Sequence, residues 1–223
     1  MLKAVKAECW IINGDWMDSI KLSAAELSAL EQLKQLPNCR ATRGNHDPWF
    51  QYHLLDLGNI RLVGRQVRFP LAGKKFVIRH GDKWDNHLQK HPIRMKLLTV
   101  AYWLVKPVRW FYDRYVINGT IWENFSESIA YTALAWACQR NIDIVIAGHT
   151  HKPLKRQATV IRRVLGVDVA KKALYINTGS LTEEVCYLTT IGYDGEVTIH
   201  QFSHAGEYLG VYTDEIKVLD LAV

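Results

Sequence analysis

Four short motifs constrain what this chain can fold into, because each joins a glycine to polar side chains directly after a predicted strand. The motifs are Gly14–Asp18, Gly44–Asp47, His80–Asp82 and Gly148–His151. Loops at the carboxyl ends of strands meet at one edge of a sheet, so the four motifs are predicted to bring their side chains to one point. Taken singly, each motif is typical of an ordinary turn, but four of them in one order argue against that interpretation.

The donor types in these motifs predict a metal site. Asp, Asn and His without Cys favour manganese, iron or zinc, since imidazole suits borderline transition metals and carboxylate or amide oxygen suits harder ions. His149 and His151 are two residues apart. On an extended backbone such side chains point to opposite sides, which predicts that they serve two adjacent ions rather than one.

The remaining patterns alternate between strand and helix. Strands are predicted at Cys9–Ile12, Lys74–Ile78, Ile142–Ile146, Ala173–Asn177, Val185–Tyr193 and Glu196–Phe202, with hairpins over Ile60–Phe69 and at the Asp194-Gly195 turn. Capping-box patterns at Ser23–Glu26 and Thr120–Glu123 predict helix starts, and residues 86–140 have a helical pattern. We therefore expect a single mixed α/β domain over residues 1–223 with a helical insertion at about residues 86–140.

Composition bounds the class of protein further. With 48% hydrophobic and 22% charged residues, the chain is expected to fold around a core rather than stay disordered. The apolar run Leu97–Val105 is too short for a bilayer span, which takes about 20 residues. Four scattered cysteines without a Cys-x-x-Cys pair predict a reduced, cytoplasmic protein, and a net charge of +6 favours an anionic partner.

In this order, the four motifs resemble those of the calcineurin-like metallophosphoesterase superfamily, over Cys9 to about Phe202. The resemblance implies a four-layer αββα sandwich and a two-metal site that hydrolyses phosphoesters, with Mn²⁺ the first expectation and Fe, Zn or Mg as alternatives. It implies that Asp15 bridges both ions, that Asn45, His80 and His149 complete one ion, and that His151 binds the other. It also implies that His46 donates a hydrogen bond or a proton at the phosphate, with Asp47 orienting it.

One superfamily motif is missing, because no Asp-x-His precedes Gly14 and the acidic residue before Asp15 is Glu8. Since the other motifs are intact, we expect an amino-terminal truncation of a competent enzyme, lacking its first strand and weakly active at best. The alternative is a divergent one-metal or inactive protein that binds anionic membranes or phosphorylated partners.

The segment Lys83–Tyr115 combines seven basic residues and seven aromatic residues with two acidic ones. Basic and aromatic side chains together favour a helix at a membrane surface. A helical lid on the core is the second interpretation, and a nucleic-acid groove ranks third because no nucleic-acid-binding motif accompanies it. Candidate substrate or lid residues are Arg43, Trp103, Arg109 and Trp110.

A helical insertion between the third and fourth motifs resembles the UDP-2,3-diacylglucosamine diphosphatase group of lipid A biosynthesis. That resemblance implies an insertion that caps the site and receives acyl chains, at the inner face of a membrane. His46 stands where the diphosphatases carry Arg, which leaves open a phosphodiester or pyrophosphate in another nucleotide-linked or lipid-linked substrate.

Overall fold

A computed structural model describes residues 6–15, 24–45, 47, 56–86, 120–164, 167–181 and 184–221. Within these ranges the chain forms twelve strands, two α-helices and one 3₁₀ turn, Asp82–Trp84. The helices are α1 (Ala24–Lys34) and α2 (Thr120–Gln139). Most of the predicted insertion, including Trp103, Arg109 and Trp110, lies outside the described residues.

The strands of the largest sheet are β4 (Gln66–Leu71), β5 (Lys74–Arg79), β6 (Ile144–Ala147), β7 (Pro153–Val164), β8 (Val167–Thr178) and β12 (Lys217–Asp220). Their order across the sheet is β12-β7-β8-β6-β5-β4. At its centre β6 lies parallel to both β5 and β8. All four residues of β6 are buried, as expected for a continuous apolar run covered on both faces.

Two smaller sheets accompany it. The first is parallel, in the order β1-β2-β3, with strands β1 (Trp10–Asn13), β2 (Cys39–Thr42) and β3 (Arg61–Leu62). The second is antiparallel, in the order β11-β10-β9, with strands β9 (Val185–Ile191), β10 (Val197–Ser203) and β11 (Tyr208–Val211). The predicted hairpin at Asp194-Gly195 is confirmed, because β9 and β10 pair around it.

Three apolar clusters join these elements. Helix α2 packs on one face of the six-stranded sheet, where its fully buried Ala130, Ala133 and Ala137 allow close approach to the strands. The opposite face packs against β9–β10 and Ile11, and α1 covers the β1–β3 sheet through Leu30. The mixed α/β class is therefore confirmed, whereas the full four-layer arrangement stays a prediction.

Helix α2 ends in a defined cap. Asn141 has a left-handed backbone (φ 55°), and the N–H of Ile142 donates to the carbonyl of Ala137 over 3.0 Å. This is the Schellman arrangement, in which the residue after the helix turns the chain sharply. It sends the chain directly into β6, so that α2 and β6 pack against each other.

The predicted hairpin over Ile60–Phe69 is wrong. Arg61–Leu62 pairs in parallel with β2, whereas Gln66–Leu71 pairs antiparallel with β5. A turn at Gly64, with φ of 79°, carries the chain from one sheet to the next. The pattern of apolar residues cannot distinguish these pairings, because Val67 and Phe69 suit any neighbouring strand, and here they face Ile78 and Phe76.

Among the described residues, no helix is both long and apolar enough to cross a membrane.

Candidate metal centre

Four strand ends build the centre. Asp15 follows β1, Asn45 follows β2, His80 follows β5 and His149 follows β6. The parallel pairings β1–β2 and β5–β6 place these residues at the carboxyl edges of two sheets. The two edges are joined at Asn13, whose Nδ2 donates to the carbonyl of Arg79 over 3.2 Å.

The centre is organised around Nε2 of His80, which is 2% exposed. This nitrogen lies 2.8 Å from Oδ2 of Asp15, 3.1 Å from Oδ1 of Asn45 and 3.2 Å from Nδ1 of His149. Asp15, His80 and His149 each offer a ligand atom, and these atoms lie within 4.8 Å of one another. Two ligands bound to one ion at about 2.1 Å and at right angles are about 3 Å apart, so these distances suit a shared ion.

The second ring nitrogen of His80 and that of His149 each lie beside a hydrogen-bond acceptor. Nδ1 of His80 lies 3.0 Å from the carbonyl oxygen of Asn13, and Nε2 of His149 lies 3.1 Å from Oδ2 of Asp85. Both partners are acceptors, so in a neutral ring these nitrogens carry the hydrogen and the inward nitrogens carry lone pairs. Four lone-pair donors then face one another, one from each of the four motif residues.

Such a convergence requires a positive charge between the donors. Without a metal, that charge is a proton: burial by itself lowers the pKa of His80, but its hydrogen bond to Asp15 and the charge of that carboxylate together raise the pKa above its ordinary value. One carboxylate, one amide oxygen and two imidazoles fit a divalent transition-metal ion. We find the described donor set complete enough to hold one such ion.

Asp85 contacts His149 on the side of the ring that faces away from the other donors. It is 2% exposed and follows the 3₁₀ turn, whose geometry brings its carboxylate to His149. A metal-binding histidine usually donates its second N–H to a carboxylate or carbonyl, which orients the ring and selects the tautomer. Asp85 does this for His149, as the Asn13 carbonyl does for His80.

Asp47 holds two of the motif loops together. Its Oδ2 accepts the backbone N–H of Asp15 and the backbone N–H of Gly44, both over 2.8 Å, and the residue is 6% exposed. A Cβ on Gly44 would lie 2.0 Å from Oδ1 of Asp15 and 2.5 Å from its backbone nitrogen. The first two motifs therefore touch so closely that only glycine fits at position 44.

The side chain of Asn177 stabilises the loop of the fourth motif through hydrogen bonds. It is fully buried at the end of β8, and its Nδ2 donates to the carbonyl of Gly148 and, over 2.8 Å, to Oγ1 of Thr150. Its Oδ1 accepts the N–H of Gly179. This amide secures a strained loop, since His149 and His151 both have left-handed backbones, with φ of 64° and 58°.

The structure does not bring all the predicted residues together. His151 is exposed and is not one of the three clustered residues, and its backbone is left-handed rather than extended as expected. Arg43 is half-buried beside the loop of Asn45. His46 lies outside the described residues, so its predicted role at the phosphate stays a prediction.

Sequence reasoning missed Asn13, Asp85 and Asn177. Asn13 directly precedes the first motif, and Asp85 follows the third motif by three residues. A search near the motifs for a hydrogen-bond acceptor to orient each predicted histidine could have found both. Asn177 carried the weaker signal of a polar residue ending an apolar strand.

The family model described as calcineurin-like phosphoesterase matches residues 2–153. No curated protein matches the sequence. Two Vps29 structures from Entamoeba histolytica are similar to the chain: a single mutant (16% identity, 91% of this chain and 98% of that chain, TM-score 0.41) and the Zn²⁺-complexed wild type (19% identity, 86% and 90%, TM-score 0.39). A protein of Streptococcus pneumoniae TIGR4 described as a predicted phosphoesterase is also similar (12% identity, 91% and 90%, TM-score 0.31).

Proposed function

Since the chain belongs to the calcineurin-like phosphoesterase family, we propose that it hydrolyses a phosphoester with the help of a divalent metal ion. The observation that carries the proposal is the set of donors around Nε2 of His80. Asp15, Asn45 and His149 approach that nitrogen within 3.2 Å, and each histidine has its other nitrogen beside an acceptor. This arrangement supports metal binding better than it supports a purely structural role, because a proton on Nε2 of His80 can satisfy only some of the four lone pairs, whereas a metal ion can accept all of them.

The protein's own groups have separate tasks in this proposal. Asp15, Asn45, His80 and His149 hold the ion, which when bound supplies Lewis-acid polarisation of a phosphoryl oxygen and lowers the pKa of water. Asp47 keeps the loops of the first two motifs in contact. Asp85 fixes the ring of His149, and we assign to His46 the donation of a hydrogen bond or a proton to the departing oxygen.

Three finer features belong to the proposal. Asp15 and His151 are the residues that would hold a second ion, with Mn²⁺ the first candidate for both ions. The substrate is proposed to be a nucleotide-linked or lipid-linked pyrophosphate or phosphodiester of the UDP-2,3-diacylglucosamine type. The motif resemblance and the helical segment between the third and fourth motifs support this choice.

The test is hydrolysis by the full chain. With Mn²⁺, we expect release of p-nitrophenolate from bis(p-nitrophenyl) phosphate and release of UMP from a UDP-linked diacyl sugar, both lost on adding EDTA. Asp15→Asn should reduce both rates to background, since it removes the charge that the metal needs. The matched control is Asp143→Asn, which lies at the opposite end of β6 from His149 and should retain activity.

Binding measurements separate the outcomes. If the chain binds Mn²⁺ by calorimetry but cleaves no monoester, diester or pyrophosphate, the protein is a binding module and the enzymatic proposal is wrong. If only the generic diester is cleaved, hydrolysis stands and the UDP-lipid substrate is wrong.

A further inference from the structure

A cluster of basic side chains surrounds two tryptophans and includes none of the four metal donors. We call it the basic patch; it consists of Arg65, Arg68, Arg79, Lys83 and Arg140 around Trp84 and Trp136. Four of the cations are exposed, and Arg79 is 8% exposed beneath them. None of these residues has a role in the function proposed above.

Strand register explains why the patch forms. Val77 packs in the cluster under α2, and Arg79, two residues further along β5, lies on the same face. Arg68 is the direct cross-strand partner of Val77, so it also lies on the face that α2 covers. Trp136 on α2 and Arg140, the first residue after the helix, are four positions apart, and the guanidinium of Arg140 lies over the ring of Trp136.

Three cations share one indole ring. The distances to the ring centroid of Trp136 are 5.8 Å for the guanidinium of Arg68, 5.4 Å for the ammonium of Lys83 and 5.2 Å for the guanidinium of Arg140. The guanidinium of Arg79 lies 6.0 Å from the ring of Trp84, which packs edge-on against Trp136 at 5.4 Å. Cation–π contact of this kind offsets part of the repulsion, and so does the negative end of the α2 dipole.

The neighbouring positive charges also affect the pKa of one member of the patch. Burial, and then the charges of Arg79, Arg140 and Arg68, lower the pKa of Lys83. Among the described residues, the carboxylate of Asp82 opposes the charge of Arg79. The patch therefore carries a surplus of positive charge.

Unsatisfied donors accompany that charge. Within the described part of the chain, Nε of Arg79, Nε1 of Trp84 and Nε1 of Trp136 are buried and donate to no acceptor. Buried N–H groups are rarely left without a partner, and each one that is calls for an acceptor supplied from elsewhere. Three such donors beside five cations point to an acceptor that is also an anion.

We propose that the basic patch binds the phosphate group of an anionic ligand, separately from the metal centre. Phosphate oxygens accept several hydrogen bonds at once and suit the fork of a guanidinium. The same chemistry is presented by a phospholipid headgroup at a membrane surface and by free phosphate in solution.

The first arm of the experiment uses vesicles. The full chain is sedimented with phosphatidylcholine vesicles that contain one quarter phosphatidylglycerol, and with pure phosphatidylcholine, at 0.15 M salt. The test variant is Arg68→Gln/Arg140→Gln, and the control Lys172→Gln/Lys217→Gln removes two exposed charges from β8 and from the opposite edge strand β12. Each cation near an anionic surface is worth about fivefold in affinity, so we expect a loss of about 20-fold in the test variant and little in the control.

The second arm uses inorganic phosphate, titrated into Asp15→Asn so that the metal centre does not contribute. Tryptophan fluorescence should change on binding, and the change should be lost in Trp136→Phe, whose shape is close enough to keep the fold. Binding in the first arm alone identifies a headgroup site, and binding in both identifies a general phosphate site. Equal losses in the test and control variants, or no wild-type binding to either probe, would overturn the proposal.

Discussion

The substitution Asp85→Asn tests most directly how the metal-binding tautomer of His149 is selected. The carboxylate accepts the Nε2–H of His149 over 3.1 Å, which leaves the lone pair of Nδ1 facing Nε2 of His80 at 3.2 Å. An asparagine has nearly the same shape but can offer its own N–H to His149. That interaction favours the opposite tautomer, with the proton on the nitrogen that must bind the metal.

The magnitude follows from what is lost. A hydrogen bond to a charged group contributes about 1.5–3 kcal/mol, and Asp85 is 2% exposed, so water does not replace it. Loss of an outer partner of a metal ligand typically costs about 10–100-fold in metal affinity, which is about 1.4–2.7 kcal/mol. We expect Mn²⁺ affinity to fall within that range while the other three ligands remain in place.

Isothermal titration of the full chain with Mn²⁺ measures this effect. The ¹⁵N chemical shifts of the His149 ring report the tautomer independently, and they should interchange between Nδ1 and Nε2 in the variant. The control Asp143→Asn also removes a carboxylate, but it lies at the far end of β6 and should bind Mn²⁺ as the wild type does. If Asp85→Asn and the control bind Mn²⁺ equally, Asp85 does not position His149 and the reasoning is wrong.

Three further predictions rest on other contacts. Gly44→Ala should abolish metal binding, because its Cβ would lie 2.0 Å from Oδ1 of Asp15, and wild-type affinity by calorimetry would contradict the close approach. Ellman's reagent should label the exposed Cys9 rapidly at pH 8, whereas burial raises the pKa of Cys39 to about 11 and should delay its reaction until the protein unfolds; equal rates by mass mapping would refute this. Burial raises the pKa of Asp143, but hydrogen bonds from Lys171 and the backbone lower it overall, so its contribution is present above about pH 4 and is lost as the pH falls through the folded-state value. Urea unfolding of Asp143→Asn should therefore differ from wild type by up to about 1 kcal/mol at pH 7, and the difference should shrink as the pH falls below about 4; a constant difference would contradict the assignment.

Local sequence patterns predicted where the strands lie better than they predicted which strands pair. The strands before the motifs and the hairpin at Asp194-Gly195 were predictable, because apolar runs and turn residues act over a few neighbours. The division of Ile60–Phe69 between two different sheets could not be predicted in this way. Pairing is decided by side chains distant in sequence, such as Phe76 opposite Phe69, and nothing local records that choice.

The sequence by itself determined the chemical types at the metal centre and their position after strands, since both are properties of short segments. Only the tertiary structure decided that Asp15, Asn45 and His149 meet at one nitrogen of His80, and that His151 is not one of the three clustered residues. It also decided which nitrogen of each ring faces inward, through Asn13 and Asp85. The physical reason is that convergence depends on how two sheets are joined edge to edge, and a hydrogen bond between residues 66 or 67 positions apart leaves no periodic trace in the sequence.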